Sequence, residues 1–148
     1  MSSYWLRPAR PADLKAVQEL ARRVSREYRL AVKAGPRPER SERAEFLWVV
    51  EAGRGEIVGS CGTREGASGE WELHSLFLAP QWRGFGLGRA LVEQAIRSAG
   101  DEGALALTCL VPAGMPEAAM LLGRLGFVSD GADDAGQARF VKSLRPIS

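Results

Sequence analysis

Histidine and cysteine are scarce in this chain: His74 is the only histidine among 148 residues, and Cys61 and Cys109 are its only cysteines. With no C-x-x-C pair and the two cysteines far apart, a zinc ribbon or finger is excluded, no metal site is expected, and there is no framework of disulfides. No run approaches the roughly 18 consecutive apolar residues of a membrane span. The opening Met1-Ser2-Ser3-Tyr4-Trp5-Leu6-Arg7 also lacks the apolar stretch of a secretory signal. The expected setting is therefore cytoplasmic, with no membrane partner. Neither sign of charge dominates, because 20 basic and 18 acidic residues leave a net charge of +2. The basic residues are scattered instead of gathered into a tract, so nucleic acid is not an expected partner. Seventeen of the 20 are arginine, which a preference for anions and a codon bias explain equally well.

What is present is the composition of a folded protein, 45% hydrophobic and 26% charged, at a length that suits one compact domain over residues 1–148. Tyr4 to Arg7 reads as a strand, stopped by Pro8 and Pro11. Leu14, Val17, Ala21, Val24 and Tyr28 then recur at helical spacing. Gly35, Pro36 and Pro38 break regularity, and the charged segment through Glu45 reads as a loop or a short, weak helix. Phe46 to Val50 and Glu56 to Cys61 form a predicted hairpin around Gly53-Arg54-Gly55. Trp71 to Leu78 is a further strand, followed by a short loop and a helix from Leu87 to Gly100. Ala104 to Val111 reads as a buried strand, Glu117 to Leu125 as a helix capped by Gly126, and Phe127-Val128 and Gln137 to Leu144 as the last strands. The fold class is thus α/β, a mixed sheet with packed helices in the order β-α-β-β-β-α-β-α-β-β.

The most informative stretch is Arg83-Gly84-Phe85-Gly86-Leu87-Gly88-Arg89, directly after a strand and at the start of a helix. Alternating glycines let several backbone N–H groups turn toward one anion, and the helix behind them adds its positive end. Glycines in a loop are more often plain turn residues, and here it is the strand–loop–helix context that favours a phosphate site. No Lys-Ser or Lys-Thr pair follows, and the G-x-G-x-x-G dinucleotide fingerprint is not matched, so ATP and NAD are disfavoured.

Arg83, Gly86 and Gly88 fit the Arg/Gln-x-x-Gly-x-Gly/Ala signature of the GNAT-type N-acetyltransferases, which the chain resembles. Glu72 to Pro80 is similar to that family's fourth strand and its exit, Leu125-Gly126-Phe127 to the Leu-Gly-Phe that ends its fourth helix, and Leu6 to Leu14 to its first strand and helix. The resemblance runs from about Tyr4 to Leu144. It implies a single-domain GNAT fold with about seven mostly antiparallel strands and helices on both faces. It also implies direct transfer of an acetyl group from acetyl-CoA to a primary amine, with no metal. The cofactor would be held by backbone amides of Arg83, Gly84, Phe85, Gly86, Leu87, Gly88 and Arg89. Its pantetheine arm would lie along Leu76, Phe77 and Leu78, in a slot between splayed fourth and fifth strands, with an N–H near Leu78 on the acetyl oxygen. Arg83 and Arg89 could add charge to the phosphate site.

For the base, the resemblance points to Glu72, six residues before Leu78. Strand alternation would place Glu72, His74 and Leu76 on one face, and either Glu72 or His74 could relay a proton. One departure stands out. The family often carries a tyrosine four residues before the glycine of Leu-Gly-Phe, with an asparagine and an alanine upstream; here those positions hold Leu122, Met115 and Ala118. The phenol that would protonate the leaving thiolate is missing. Ser75, Tyr28 or water could take its place, or the chain is a weakly catalytic or non-catalytic acyl-CoA-binding protein. An unrelated phosphate-binding α/β protein is the third reading. Cys109 reads as core. The acceptor side is expected to be bordered by the segment from Ala31 to Glu45, with Arg37, Arg40 and Arg43, and by the turn from Asp130 to Gly136. A homodimer is the expected assembly.

Overall fold

The computed structural model describes residues 3–28, 43–133 and 136–144. Ten elements follow the expected order: β1 (Tyr4–Pro8), α1 (Leu14–Glu27), β2 (Glu45–Ala52), β3 (Glu56–Glu65), β4 (Glu70–Leu78), α2 (Leu87–Asp101), β5 (Ala106–Val111), α3 (Pro116–Arg124), β6 (Val128–Ala132) and β7 (Ala138–Ser143). Short 3-10 turns precede α1, β4 and α2. The strands form one seven-stranded sheet in the order β1-β2-β3-β4-β5-β7-β6, antiparallel except for the β4–β5 pair. Most of the 31–45 span, Arg37 and Arg40 included, lies outside the described residues.

Two strands outrun their sequence signals. β3 continues through Gly62-Thr63-Arg64-Glu65 because it is paired on both sides, with β2 and with β4, and the ladder overrides glycine's poor strand propensity. β6 runs on into the span read as a turn from Asp130. Its pairing with β7 skips register between Ser129 and Ala132, and Gly131 there takes φ +85°, so a bulge absorbs the turn-like residues.

Paired residues of a sheet share a face, so Val50, Gly59 and Leu78 lie on one side and Val49, Ser60 and Phe77 on the other. A Cβ on Gly59 would stand 3.1 Å from Leu78 and 3.3 Å from Leu91, which places α2 over the first face. Leu91, Val92, Ala95 and Ala99 of α2 join Val58, Cys61, Trp71, Leu73 and Leu107 in the core. A Cβ on Gly88 of α2 would stand 3.3 Å from Leu121 of α3. Both cysteines are free and buried, and burial pushes the Cys109 thiol up to about 12, in keeping with a packing role.

α1 is tethered from the opposite face. Arg7, paired in register with Val49, makes a bidentate contact to Asp13 (2.8 and 3.1 Å) and reaches Glu51 at 2.9 Å. Arg7 holds the Asp13 carboxyl below the usual carboxylate range, with a further contribution from the Arg10 amide. Asp13 therefore adds stability above its unfolded pKa that is lost as pH falls through its lower folded value. Replacing Arg7 with Met should cost about 3 kcal/mol at pH 7, because two largely buried carboxylates lose their cation. The difference from wild type should shrink at pH 3, and urea unfolding at the two pH values checks both statements.

Candidate functional site

The site begins where two neighbouring strands part. β4 and β5 pair only from Glu70–Ala106 to Leu73–Cys109, and beyond that β5 stays with β7 while the rest of β4 has no partner on this side among the described residues. On its other edge β4 skips register, with Gly62 opposite His74 but Ser60 opposite Phe77. The additional residue is accommodated at Ser75, whose φ is +53°. This bulge corrects one expectation: Glu72 and His74 share a face, but Leu76 is turned to the opposite one. Alternation fails there because two residues of β4 oppose one of β3.

Leu78 lies across from Gly59, and its carbonyl accepts from Arg83 Nε and Nη2 at 3.2 and 2.9 Å. The next amide, of Ala79, returns to β3 by donating to Val58. N–H and C=O of one strand residue project to the same side, so the Leu78 amide faces the opening.

β4 ends in the turn Pro80–Trp82, and the glycine loop leads from there into α2. Gly86, the residue before α2, has φ +79°, Gly84 has φ +88°, and a Cβ on either would meet nothing within 4 Å. The first helical amide to find a carbonyl is that of Ala90, bonded to Gly86. Among the described residues, the amides of positions 84 to 89 have no acceptor, so a run of N–H groups and the positive end of a 15-residue helix face open space. Such a cradle fits an anionic phosphate group.

A cavity of about 470 Å³ connects this cradle to the open end of β4. Leu76, Phe77, Leu78, Arg83, Gly84, Gly86, Leu87, Gly88 and Arg89 line it. Phe85 does not: it is 62% exposed and leans on Trp82, which in turn meets Tyr4 edge-on. The far wall is α3, through Met115, Ala118, Leu121 and Leu125, with Glu117 and Arg124 at its polar edge. The sequence reading missed Leu121, Leu125, Glu117 and Arg124, although the three- and four-residue spacing about Leu121 carried the signal for one common helix face. Leu122, at the position expected to hold a phenol in the family, is fully buried and outside the cavity wall.

Arg83 acts as a brace. Besides Leu78 it binds both carboxylate oxygens of Glu27, lies 3.2 Å from the Tyr28 hydroxyl, and covers the Tyr28 ring at 5.3 Å. The end of α1 is thereby fixed to the loop. Arg89 instead pairs with Glu93 one helical turn on.

Glu72 and His74 lie on the face away from α2, in a polar cluster drawn from three strands. Arg64 binds Glu72 at 3.0 Å and approaches Glu45 at 3.8 Å. His74 Nδ1 is 2.8 Å from Ser75 Oγ, while its buried Nε2 has no hydrogen-bond partner among the described residues and stands 3.8 Å from Glu45. The ring fills the place of a missing side chain, since a Cβ on Gly62 would lie 2.6 Å from it. Burial, with a smaller push from Arg64, lowers the His74 pKa from 6.5 to about 4. In NMR the imidazole should stay uncharged until pH nears that value, and a midpoint near 6.5 would contradict its sealed position. Because the folded pKa lies below the unfolded one, the associated stability is full above pH 6.5. It should decline by up to about 3 kcal/mol as pH falls through that window.

The matches to known proteins agree with this geometry. Residues 13–127 match the model of the acetyltransferase (GNAT) family. No curated protein is similar to the chain by sequence. Among solved structures, a GNAT-family acetyltransferase from Staphylococcus aureus Mu50 superposes with a TM-score of 0.82 at 11% identity, over 97% of this chain and 100% of that one. PaiA N-acetyltransferase from Thermoplasma acidophilum, solved with coenzyme A, gives 0.73 at 15% identity over 95% and 99% of the two chains. The ribosomal-protein-S18-alanine N-acetyltransferase of Escherichia coli gives 0.71 at 16% identity over 99% and 97%. These structural likenesses establish the fold, and the family match over most of the sequence establishes that this chain belongs to the GNAT acetyltransferase family.

Proposed function

We propose that the chain transfers an acetyl group from acetyl-CoA to a primary amine by direct attack on the thioester. The observation that carries this reading is the run of unpaired amides at the start of α2, opening into a cavity continuous with the unpartnered edge of β4. The pyrophosphate would take the amides of residues 84 to 89, and the pantetheine arm would lie along Leu76 to Leu78 in the place of a neighbouring strand. The Leu78 amide would hold the acetyl oxygen as it gains charge. Glu72, half-exposed beside the opening, would take the first proton from an ammonium substrate so that its nitrogen can attack, with His74 beside it.

A second reading follows from Leu122. With that position buried and apolar, the chain would bind acyl-CoA but turn it over weakly or not at all. Isothermal titration with acetyl-CoA, followed by thiol release against a panel of primary amines, separates the two. Binding with amine-dependent release supports the transferase, binding without release supports the binder, and absence of binding defeats both.

Two variants locate the roles. Gly86→Val puts a branched side chain at positive φ and over the cradle, so acetyl-CoA affinity should fall on the order of 10-fold; full affinity would mean the loop does not hold the phosphates. Glu72→Gln should leave that affinity unchanged while lowering turnover roughly 100-fold and altering its pH profile. Kinetics equal to wild type would remove Glu72 from proton transfer.

A further inference from the structure

We propose that the Arg83 guanidinium stabilises the oxyanion of the transfer, as a fixed positive charge beside the acetyl oxygen held by the Leu78 amide. The inference rests on the transferase reading above and assigns a side chain to a task that reading leaves to one backbone N–H. Arg83 and Leu78 both line the cavity, and Arg83 Nε and Nη2 donate to the Leu78 carbonyl at 3.2 and 2.9 Å. The Leu78 amide stands on the same open edge, because β3 is met from the next residue, Ala79, whose N–H donates to Val58. Arg89 and Arg124 also line the cavity, but among the described residues neither hydrogen-bonds to β4, and Arg89 is paired with Glu93.

Sheet geometry fixes how near the charge and the oxygen come. In an antiparallel ladder one residue of the opposite strand serves both groups of a hydrogen-bonded residue, its C=O accepting from the N–H and its own N–H donating to the C=O. On the open edge of Leu78 no strand residue does this among the described residues. Arg83 takes the donor's place, and an acetyl oxygen on the Leu78 N–H takes the acceptor's. Those two places lie no further apart than the span of a single residue, roughly 3.6 Å.

Within that distance the guanidinium acts through its charge. Nε and Nη2 hold the Leu78 carbonyl, Nη1 and Nη2 hold the two carboxylate oxygens of Glu27, and Nη1 also reaches the Tyr28 hydroxyl at 3.2 Å, so all five N–H bonds are engaged. Glu27 sits on the far edge of the fork, and the acetyl oxygen meets the positive edge first. Pairing with Glu27, opposed by burial, raises an already high pKa, so the charge persists.

The steps balance without a proton moving on Arg83. The amine lone pair forms the N–C bond while the carbonyl π pair moves to oxygen, where negative charge appears between the Leu78 N–H and the guanidinium. When the π bond re-forms, the C–S bond breaks with its electron pair on sulfur. The nitrogen sheds one proton and the thiolate gains one, both through water, and the amide and the free thiol leave. Full charge resides on the oxygen only between these events, so the guanidinium favours the tetrahedral stage over the bound thioester.

Arg83→Gln tests this, because the amide keeps a donor for the Leu78 carbonyl while the charge is removed. Acetyl-CoA affinity by titration should stay within about twofold of wild type, and kcat for amine-dependent thiol release should fall roughly 30-fold. Arg83→Lys, which returns the charge, should recover most of the loss. Glu27→Gln separates charge from bracing: with less to offset the guanidinium, kcat should rise roughly threefold, whereas a merely structural brace loses activity when either partner is replaced. Infrared spectra of bound acetyl-CoA labelled with carbon-13 at the carbonyl need no acceptor, and the carbonyl band should lie lower in the wild type than in Arg83→Gln. Wild-type kcat with an unmoved band in Arg83→Gln, a fall in affinity with kcat unchanged, or a loss in Glu27→Gln equal to that in Arg83→Gln overturns the inference and leaves the transferase reading intact. A wild-type chain that binds acetyl-CoA yet releases no thiol with any amine overturns that reading, and this inference with it.

Discussion

The parting of β4 from β5 is the constraint around which the rest of this molecule is arranged. Inside a sheet, a strand edge without a partner leaves carbonyls and amides that must find other company. Past Leu73 and Cys109, β4 has lost its neighbour on one side, and the fold answers locally: Arg83 reaches back to cover the Leu78 carbonyl. What is left is an edge able to accept an extended polar chain, with a cradle of helix-terminal amides at its end. Binding surface and sheet defect are one feature.

The opening also explains why so much of the neighbourhood is anchored from a distance. Arg83 ties the loop to Glu27 and Tyr28 at the end of α1, and Arg7 ties the other end of that helix to the sheet through Asp13 and Glu51. α3 supplies the opposite wall through Leu121, which would stand 3.3 Å from a Cβ on Gly88. Three elements distant in sequence thus frame a cavity that no single one could form.

How much of this was legible in the sequence depended on how local each feature is. The order of elements could be read because proline and glycine mark nearly every boundary, and the cradle because it is a contiguous backbone motif whose residues act through position more than through side-chain identity. The bulge was hidden: Ser75 is neither glycine nor asparagine, and nothing in a period-two pattern signals a left-handed residue in mid-strand. The cluster of Glu45, Arg64, Glu72 and His74 was hidden for another reason, since it is created by the pairing register of three strands, and a register is set by the whole sheet. Glu72 and His74 were read as neighbours on one strand face, whereas Glu45 and Arg64 beside them were not. Arg83 was read as a charge beside the loop, whereas its donors are turned to Leu78, Glu27 and Tyr28.

The contact between Gly62 and the ring of His74 has a consequence for how this sequence can change over generations. The imidazole occupies the space a Cβ would need, with the Phe46 carbonyl close behind it. Substitution at either position alone is penalised, by a clash in one case and by a void beside partly exposed charges in the other. The route to a different pair runs through a double replacement, a larger residue on β3 accompanied by a smaller one on β4. Lineages descending from this protein are accordingly expected to keep or exchange the two residues together, as a correlated pair whose members sit 12 positions apart.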